Sequence, residues 1–575
     1  MATSTDESWD IVTDCVFVGS GGGSMCAALA VQAAGLQALV LEKSEVMGGS
    51  TAMSGGILWL PDNPVSRRAG VEDSRADALR YFDSLVGHHN PSTSQARVDA
   101  FLDSVQPMVE FLQDKGIPFR HCEGYSDYND ELPGGKPRGR SVETELFDTT
   151  QLGPWQPRLR VSATLPAIPM YTSEVAPVVL GGRTARSVWT LAKVGARLTK
   201  AALRRRKVYG SGVALQGWML LAALRNDVSI WCSTPVSELI RNSDGRVVGI
   251  VATRDGRPVR IFARRGVLIN SGGFSHNEAM RTKFGRQPAS TKWTVANPGD
   301  TGEVIEEAMR IGAATDLMEE AWWIPSSVQP DGSPLYAVYE RSKPHAIMVD
   351  SSGQRYTNEA ASYMAVGQAM YERNKVVPAI PSWWVMDSHN RRRYLWGLMP
   401  GGITPRKWLS SGYIRKGDTL AELADACGID RQGLIDTIER FNIHAAKGED
   451  PDFHKGERAY DRYYGDPRTT PNPCVAPVSK PPFYAVELFP GDVGTCGGLL
   501  TDEHARVLDR DGHVIDGLYA TGNCTASVMG RSYPGAGASI GASYAFGWLA
   551  AQHMMNPPDT YNTSLPTDQQ DAVHQ

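Results

Sequence analysis

The run Gly19-Ser20-Gly21-Gly22-Gly23-Ser24 constrains this chain more than any other segment, because of what flanks it. Cys15-Val16-Phe17-Val18 before it is a short apolar run that reads as a buried strand. Met25 to Ala34 after it reads as a helix with small residues on its packing face, and Leu39-Val40-Leu41 reads as a second strand ending at Glu42. Strand, glycine turn, helix, strand and terminal carboxylate in this order form the context in which such glycines bind a dinucleotide. Gly19 permits the tight turn, and Gly21 lets the backbone approach a pyrophosphate. The unpaired N–H groups at the helix start, around Gly22 and Gly23, face the anion. Glu42, with Lys43 beside it, stands where a carboxylate accepts from ribose hydroxyls. The third glycine position holds Ser24, a departure expected to loosen helix–strand packing slightly.

Two more small-residue loops follow, Met47-Gly48-Gly49-Ser50-Thr51 and Ser54-Gly55-Gly56. Taken alone they are glycine-rich turns. In this register they resemble the Gly-Gly-Ser/Thr segment of FAD enzymes in the fumarate reductase and succinate dehydrogenase superfamily, where the loop lies along the diphosphate and the isoalloxazine. The resemblance favours FAD over NAD, and no residue signals covalent attachment of the flavin. It extends to Thr234-Pro235-Val236, which opens a hairpin of Val236 to Arg241 and Val247 to Thr253 with Asp244-Gly245 at the turn. It also covers the strand Arg265 to Asn270 running into Ser271-Gly272-Gly273. In that superfamily the position of Val236 supplies backbone bonds to adenine. Near the end, Asp516 to Asn523 and then Ala538-Ser539-Ile540 match the last cofactor contacts. A helix starting near Ala538 aims its positive end at the flavin pyrimidine.

The expected architecture is therefore α/β: a Rossmann-like FAD-binding domain, split in sequence, with an inserted α+β catalytic cap domain. Residues 1–323 and 495–575 make the two FAD-binding parts, and 324–494 the cap. Trp322, Trp323, Trp383, Trp384 and Trp396 cluster around the insertion, as core or as pocket lining. At 575 residues the chain is too long for one hydrophobic core. A net charge of -5 excludes the balance of a nucleic-acid binder. Eight Cys are scattered without zinc spacing, as expected of reduced structural thiols, and no metal is expected. Met1 to Asp10 is acidic and lacks an apolar core, which argues against a signal peptide and for a cytoplasmic protein. Val208 to Leu224 is uncharged but too short and too glycine-rich for a membrane span, so it reads as a buried helix and loop.

Four further segments narrow the family. They are Ser126-Asp127-Tyr128; Pro344 to Asp350 with Arg355-Tyr356-Thr357-Asn358-Glu359 and Ser362-Tyr363; Ser411 to Leu420; and Met529-Gly530-Arg531-Ser532-Tyr533-Pro534-Gly535-Ala536-Gly537. In this order on this frame, the chain resembles the bacterial 3-ketosteroid Δ1-dehydrogenases over nearly its whole length. The resemblance implies removal of hydrogen from C1 and C2 of a 3-oxosteroid, within steroid degradation. It implies that the Tyr533 hydroxyl and the Gly537 N–H donate to the C3 oxygen, that Tyr363 is the base, and that Tyr128 pairs with it. Tyr125 competes with Tyr128 for that place, and His345 reads as a structural histidine. A 3-ketosteroid Δ4-(5α)-dehydrogenase, a fumarate-reductase-like flavoenzyme and a non-catalytic flavin sensor are the alternatives. A quinone, a carrier protein or oxygen takes the electrons away. The far end of the pocket, and with it the preferred steroid, is not marked by any motif.

From Pro177 to Asn226 there is no acidic residue. Arg183, Arg186, Lys193, Arg197, Lys200 and Arg204 recur at mostly three- and four-residue steps, while Val188, Leu191, Gly195, Leu198 and Ala202 fall on another face. This predicts a cationic amphipathic helix within 180–210. One reading docks it peripherally on an anionic membrane; the other leaves it a solvated surface helix.

Overall fold

A computed structural model describes residues 8–161 and 168–556. The first seven residues of the acidic N-terminal stretch lie outside the described residues. Ile11–Val18 forms a strand whose second half is wholly buried, and Gly22–Ala33 and Ala38–Leu41 follow as helix and strand. The larger sheet has eight strands, with the path Arg506–Leu508, Val514–Ala520, Arg257–Ile269, Ile11–Val18, Ala38–Leu41 and Ser229–Trp231. Its centre is parallel: Ile11–Val18 pairs with Ala38–Leu41 on one side and Arg257–Ile269 on the other. The all-apolar strand Ala38–Leu41 is what a parallel sheet covered on both faces requires. The hairpin Val236–Arg241 and Val247–Arg254 extends this sheet, with Gly245 at φ +85° in its turn.

Strands from opposite ends of the chain meet in this sheet, since Val267–Ile269 pairs in parallel with Leu518–Ala520. Two helices seal the join. Ala538–Met555 crosses Gly22–Ala33 closely enough that a Cβ on Gly547 would sit 2.3 Å from Gly23 O, and one on Gly23 would sit 2.5 Å from Ser543 O. The close approach expected of the third glycine position is thus made by Gly22 and Gly23 against the C-terminal helix. Ser24 is fully buried and its N–H donates to Asn270 Oδ1 at 3.1 Å, so it does not loosen the packing as expected.

The second sheet is antiparallel, in the order Pro334–Tyr336, Ala321–Val328, Phe483–Thr495, Ser382–Met386 and Ala346–Val349, with Ile414–Gly417 paired to Phe483–Thr495. It spans the sequence expected to form the cap. Trp323 and Trp384 are core residues here, while Trp322 faces the cavity described below. Ser211–Arg225 is a buried helix, and among the described residues no helix is long and apolar enough to cross a membrane. All eight thiols are free and six are buried.

Candidate active site

One cavity of about 500 Å³ runs from the N-terminal glycine turn to a cluster of tyrosines beneath the second sheet. At the turn it is lined by Gly19, Ser20, Gly21, Glu42 and Lys43, then by Gly49, Ser50, Ser54 and Gly55. Val236, Ser271, Gly272 and Asn523 follow, and Ser539, Ile540 and Gly537 bring it to the tyrosines. Gly22, Gly23, Gly48, Gly56 and Ala538 do not line it. Close packing also demands small residues here: a Cβ on Gly22 would enter the Tyr544 ring, and one on Gly56 would sit 2.3 Å from Ser211 C.

The residues fit an FAD. Glu42 gathers Ser20 Oγ at 2.6 Å and Ser44 N–H at 2.9 Å, which presents a carboxylate at the end of the second strand. Gly19 takes φ +95° with Asn270 O directly behind it, a place no side chain can occupy. Asn270 then ties three segments together, because its Nδ2 donates to Thr521 O at 2.9 Å while its Oδ1 holds the Ser24 N–H. Asn270 and Asp300 were not anticipated from sequence. Asp300 lines the cavity, accepts from Ser50 Oγ at 3.1 Å, and is pushed up to about 7 by burial. Only the fold reveals it, since nothing in the local pattern around 300 separates it from a loop acid.

The tyrosines come from four separate stretches of chain. Tyr533 and Gly537 sit on the loop before the C-terminal helix, Tyr363 is the first residue of the helix Tyr363–Asn374, Tyr460 belongs to Ala459–Tyr463, and Tyr128 ends a short extended segment. Rings of Tyr363 and Tyr533 are 5.1 Å apart, Tyr128 and Tyr533 5.6 Å, and Tyr128 and Tyr460 4.0 Å. The Tyr128 hydroxyl is 3.5 Å from that of Tyr363, a long contact for a hydroxyl pair. Tyr125 also faces the cavity, but its hydroxyl is taken up by Tyr464 at 2.5 Å. His345 lies away from the cavity, with Nδ1 2.8 Å from Pro477 O and Nε2 3.0 Å from Arg393 Nη1.

A buried polar network sets this geometry. Asp127 accepts from Trp59 Nε1 at 2.8 Å and Arg140 Nη1 at 2.9 Å, while the Tyr128 N–H donates to Pro534 O at 2.9 Å. Tyr81 donates to the same carbonyl at 2.8 Å, and Ser141 Oγ donates to Ala536 O at 2.9 Å. The loop carrying Tyr533 and Gly537 is thereby clamped to the segment carrying Tyr128. Gly537 has φ +89°, and a Cβ there would sit 2.2 Å from Ile57 O, so only glycine fits. Among the described residues no acceptor takes the Gly537 N–H, which leaves it free toward the cavity.

Burial dominates the electrostatics. It pushes the phenols of Tyr128 and Tyr363 well above the usual tyrosine range, and neighbouring tyrosines add to the rise. The Tyr128 hydroxyl acts in the opposite sense on Tyr363, because a donor stabilises the phenolate. The Tyr533 hydroxyl and Gly537 border a space that Tyr363 also lines. Lys43, at the cofactor end, is the only Lys or Arg lining the cavity among the described residues.

The sequence matches the FAD binding domain family model over residues 14–540. It is 42% identical over 553 residues to the 3-oxosteroid 1-dehydrogenase of Mycolicibacterium smegmatis, covering 94% of this chain and 96% of that one. It is 35% identical to the 4-oxocyclohexanecarboxylate 2-dehydrogenase of Sinomonas cyclohexanicum, with 94% and 92% covered. Among solved structures, it is similar to the 3-ketosteroid Δ1-dehydrogenase from Sterolibacterium denitrificans in complex with 1,4-androstadiene-3,17-dione. That match has a TM-score of 0.89 and 38% identity, covering 94% of this chain and 99% of that one.

Proposed function

The chain belongs to the 3-oxosteroid 1-dehydrogenase family of FAD binding domain proteins, and we propose that it introduces the 1,2 double bond into 3-ketosteroids with Tyr363 as base and Tyr533 and Gly537 as carbonyl donors. The observation that carries this reading is the free Gly537 N–H beside Tyr533 at the end of a long apolar cavity. A C2–H bond is acidic only if the electron pair it leaves can move onto the C3 oxygen. Two donors fixed before the substrate arrives stabilise that enolate at no reorganisation cost. In this reading Tyr363, its ring 5.1 Å from that of Tyr533, takes the C2 proton, supported by the Tyr128 hydroxyl 3.5 Å from its own. When FAD is bound, its flavin supplies the acceptor for the hydrogen leaving C1 with its electron pair. Turnover then needs a second substrate that takes two electrons, for which a quinone fits a membrane-associated enzyme.

The cavity favours a steroid over a small oxo acid. Val178, Val338, Leu395 and Leu398 line it beyond the tyrosines, and among the described residues no Lys or Arg stands there to pair with a carboxylate. Mixing the oxidised holoenzyme anaerobically with androst-4-ene-3,17-dione is expected to bleach the flavin and yield the 1,4-diene. Bleaching by 4-oxocyclohexanecarboxylate but not by the steroid would reverse the substrate assignment.

The helix Ala185–Leu203 supports peripheral membrane docking. It rests on the protein through Ser187, Thr190 and Val194. Val188, Trp189, Leu191 and Leu198 face out, with Trp189 63% exposed. Arg197 pairs with Glu174 and Arg183 with Asp466, and Lys193 lies over the Trp189 ring. An outward apolar stripe flanked by cations suits an anionic lipid surface. The short helix Val175–Val178 just before it lines the cavity, as does Leu398, which is 67% exposed. The mouth of the cavity therefore opens beside the docking helix, where a lipid-dissolved steroid arrives. Co-sedimentation with phosphatidylglycerol vesicles at low salt is expected, and Trp189→Asp should weaken it about tenfold, from the loss of one buried indole. A wild-type protein that stays in the supernatant at low salt removes this part of the proposal.

A further inference from the structure

Behind the tyrosine cluster lies a cation that the reading above does not use. Arg341 is buried, with 1% of its surface exposed. Its Nε donates to Ala337 O at 2.7 Å, and its Nη1 donates to the carbonyl oxygens of Glu359 and Ala361, the latter at 3.0 Å. Among the described residues no carboxylate oxygen comes within ion-pair distance of it. Two nearby buried arginines differ: Arg355 is held by Glu359 and Asp450, and Arg140 by Asp73 and Asp127. A buried charge without a paired anion costs several kcal/mol, roughly, even after relaxation. A site that keeps one has a use for the charge.

Two observations say what that use is. Ala361 stands two residues before Tyr363, so the Arg341 bonds to Glu359 and Ala361 fix the entry to the helix Tyr363–Asn374. Its charge also favours the phenolate of Tyr460, whose ring lies 4.0 Å from that of Tyr128. The titratable groups around it are Glu340 and Lys343 on its own segment, Asp461 and Tyr460 on Ala459–Tyr463, and Tyr128. Burial pushes Glu340 up to about 7 and raises Asp461, and neither carboxylate comes within ion-pair distance of Arg341 among the described residues. Lys343 donates to Tyr464 O and is pushed down to about 8 by burial.

We propose that Arg341 is a positioning residue for the base: it anchors the start of the helix that carries Tyr363, and its unpaired charge offsets the negative charge that Tyr363, Tyr128 and Tyr460 share when Tyr363 gives up its proton. The inference rests on Tyr363 being the base. It accounts for how a phenol that burial raises becomes usable, because a cation in a low-dielectric setting favours the phenolate. The proton balance is simple. Tyr363 enters turnover as phenolate, takes the C2 proton, and returns it to solvent before the next cycle.

The test is the pH dependence of kcat in holoenzyme variants. Arg341→Gln keeps an amide donor for the carbonyls and removes the charge. The acid limb of its kcat profile is expected to move up by about one pH unit or more, which lowers turnover at neutral pH about tenfold. Product binding, read from the flavin absorbance, should stay within about threefold, since no charge on the ligand meets Arg341. Arg341→Lys restores the charge and should return the limb to within about half a unit. A loss of turnover that is the same at every pH, with the limb unmoved, overturns the proposal and leaves Arg341 a structural residue. Should Arg341→Gln not fold, Glu340→Gln decides: removing the opposing anion is expected to shift the limb to lower pH, and an unmoved limb overturns the proposal. If Tyr363→Phe keeps its turnover, the base assignment has failed; if it does not and the limb in Arg341→Gln is unmoved, only the role of Arg341 has failed.

Discussion

Replacing Tyr363 by Phe lowers kcat about 10²- to 10⁴-fold while FAD and steroid remain bound, the range that a positioned proton acceptor contributes. The substitution removes one oxygen from a buried ring whose packing partners are the rings of Tyr128 and Tyr533, so the shape of the site survives. In the wild-type protein, burial raises the phenol above its usual range, and the sign of the pH dependence follows. A group that must be deprotonated to act, with its pKa raised, is inactive below that pKa. Turnover should therefore climb with pH on the acid side, by about tenfold per unit for one ionisation, and level off only on the alkaline side. The decisive measurement is the kcat profile of both proteins, with the FAD content checked by absorbance. A phenylalanine variant that keeps more than about a tenth of wild-type turnover rules Tyr363 out as base.

The second large effect is expected from Tyr533→Phe, about 10²- to 10³-fold in kcat, as for the loss of one preorganised oxyanion donor. Tyr533 Oη lies 3.2 Å from Ser539 Oγ, its partner within the protein, and its ring is wedged by Trp322 at 5.1 Å and Tyr363 at 5.1 Å. The phenylalanine ring keeps those contacts and loses only the donor, so stability should change little. Because the donor acts on charge that develops in the enolate, kcat should fall more than the affinity for the 1,4-diene product. Equal losses in both would assign Tyr533 to ground-state binding instead. The Gly537 N–H cannot be removed by a side-chain change, and an alanine there collides with Ile57 O, so the phenol is the member of the pair that mutagenesis can isolate.

Much of the cofactor frame is legible in short windows of sequence. Gly19, Gly21, Glu42 and the strands around them obey local rules, because a tight turn and a free helix end are properties of ten consecutive residues. At other glycines the fold adds a second demand for smallness. At Gly22, Gly23 and Gly56 another segment passes too close for a side chain, and that segment is hundreds of residues away for Gly23 and Ser543. Asp300 and Asn270 escaped for the complementary reason. An acid or an amide in a loop carries no local signature until burial and partners give it a role.

Taken by itself, the sequence determined that a dinucleotide frame exists, where its strands and turns fall, and, through family resemblance, which tyrosines to watch. Periodicity also determined that Ala185–Leu203 is a two-faced helix. It could not say which face looks inward, because a repeat of about 3.6 residues fixes the angle between two stripes and not their orientation to the rest of the chain. Tertiary structure decided that Ser187, Thr190 and Val194 face in and Trp189 faces out. It likewise decided that Tyr128, Tyr363 and Tyr533 line one cavity with Tyr460 stacked on Tyr128, and that Arg341 has no carboxylate partner among the described residues. Such neighbourhoods come from long-range strand pairing and helix packing, and no window of consecutive residues contains them.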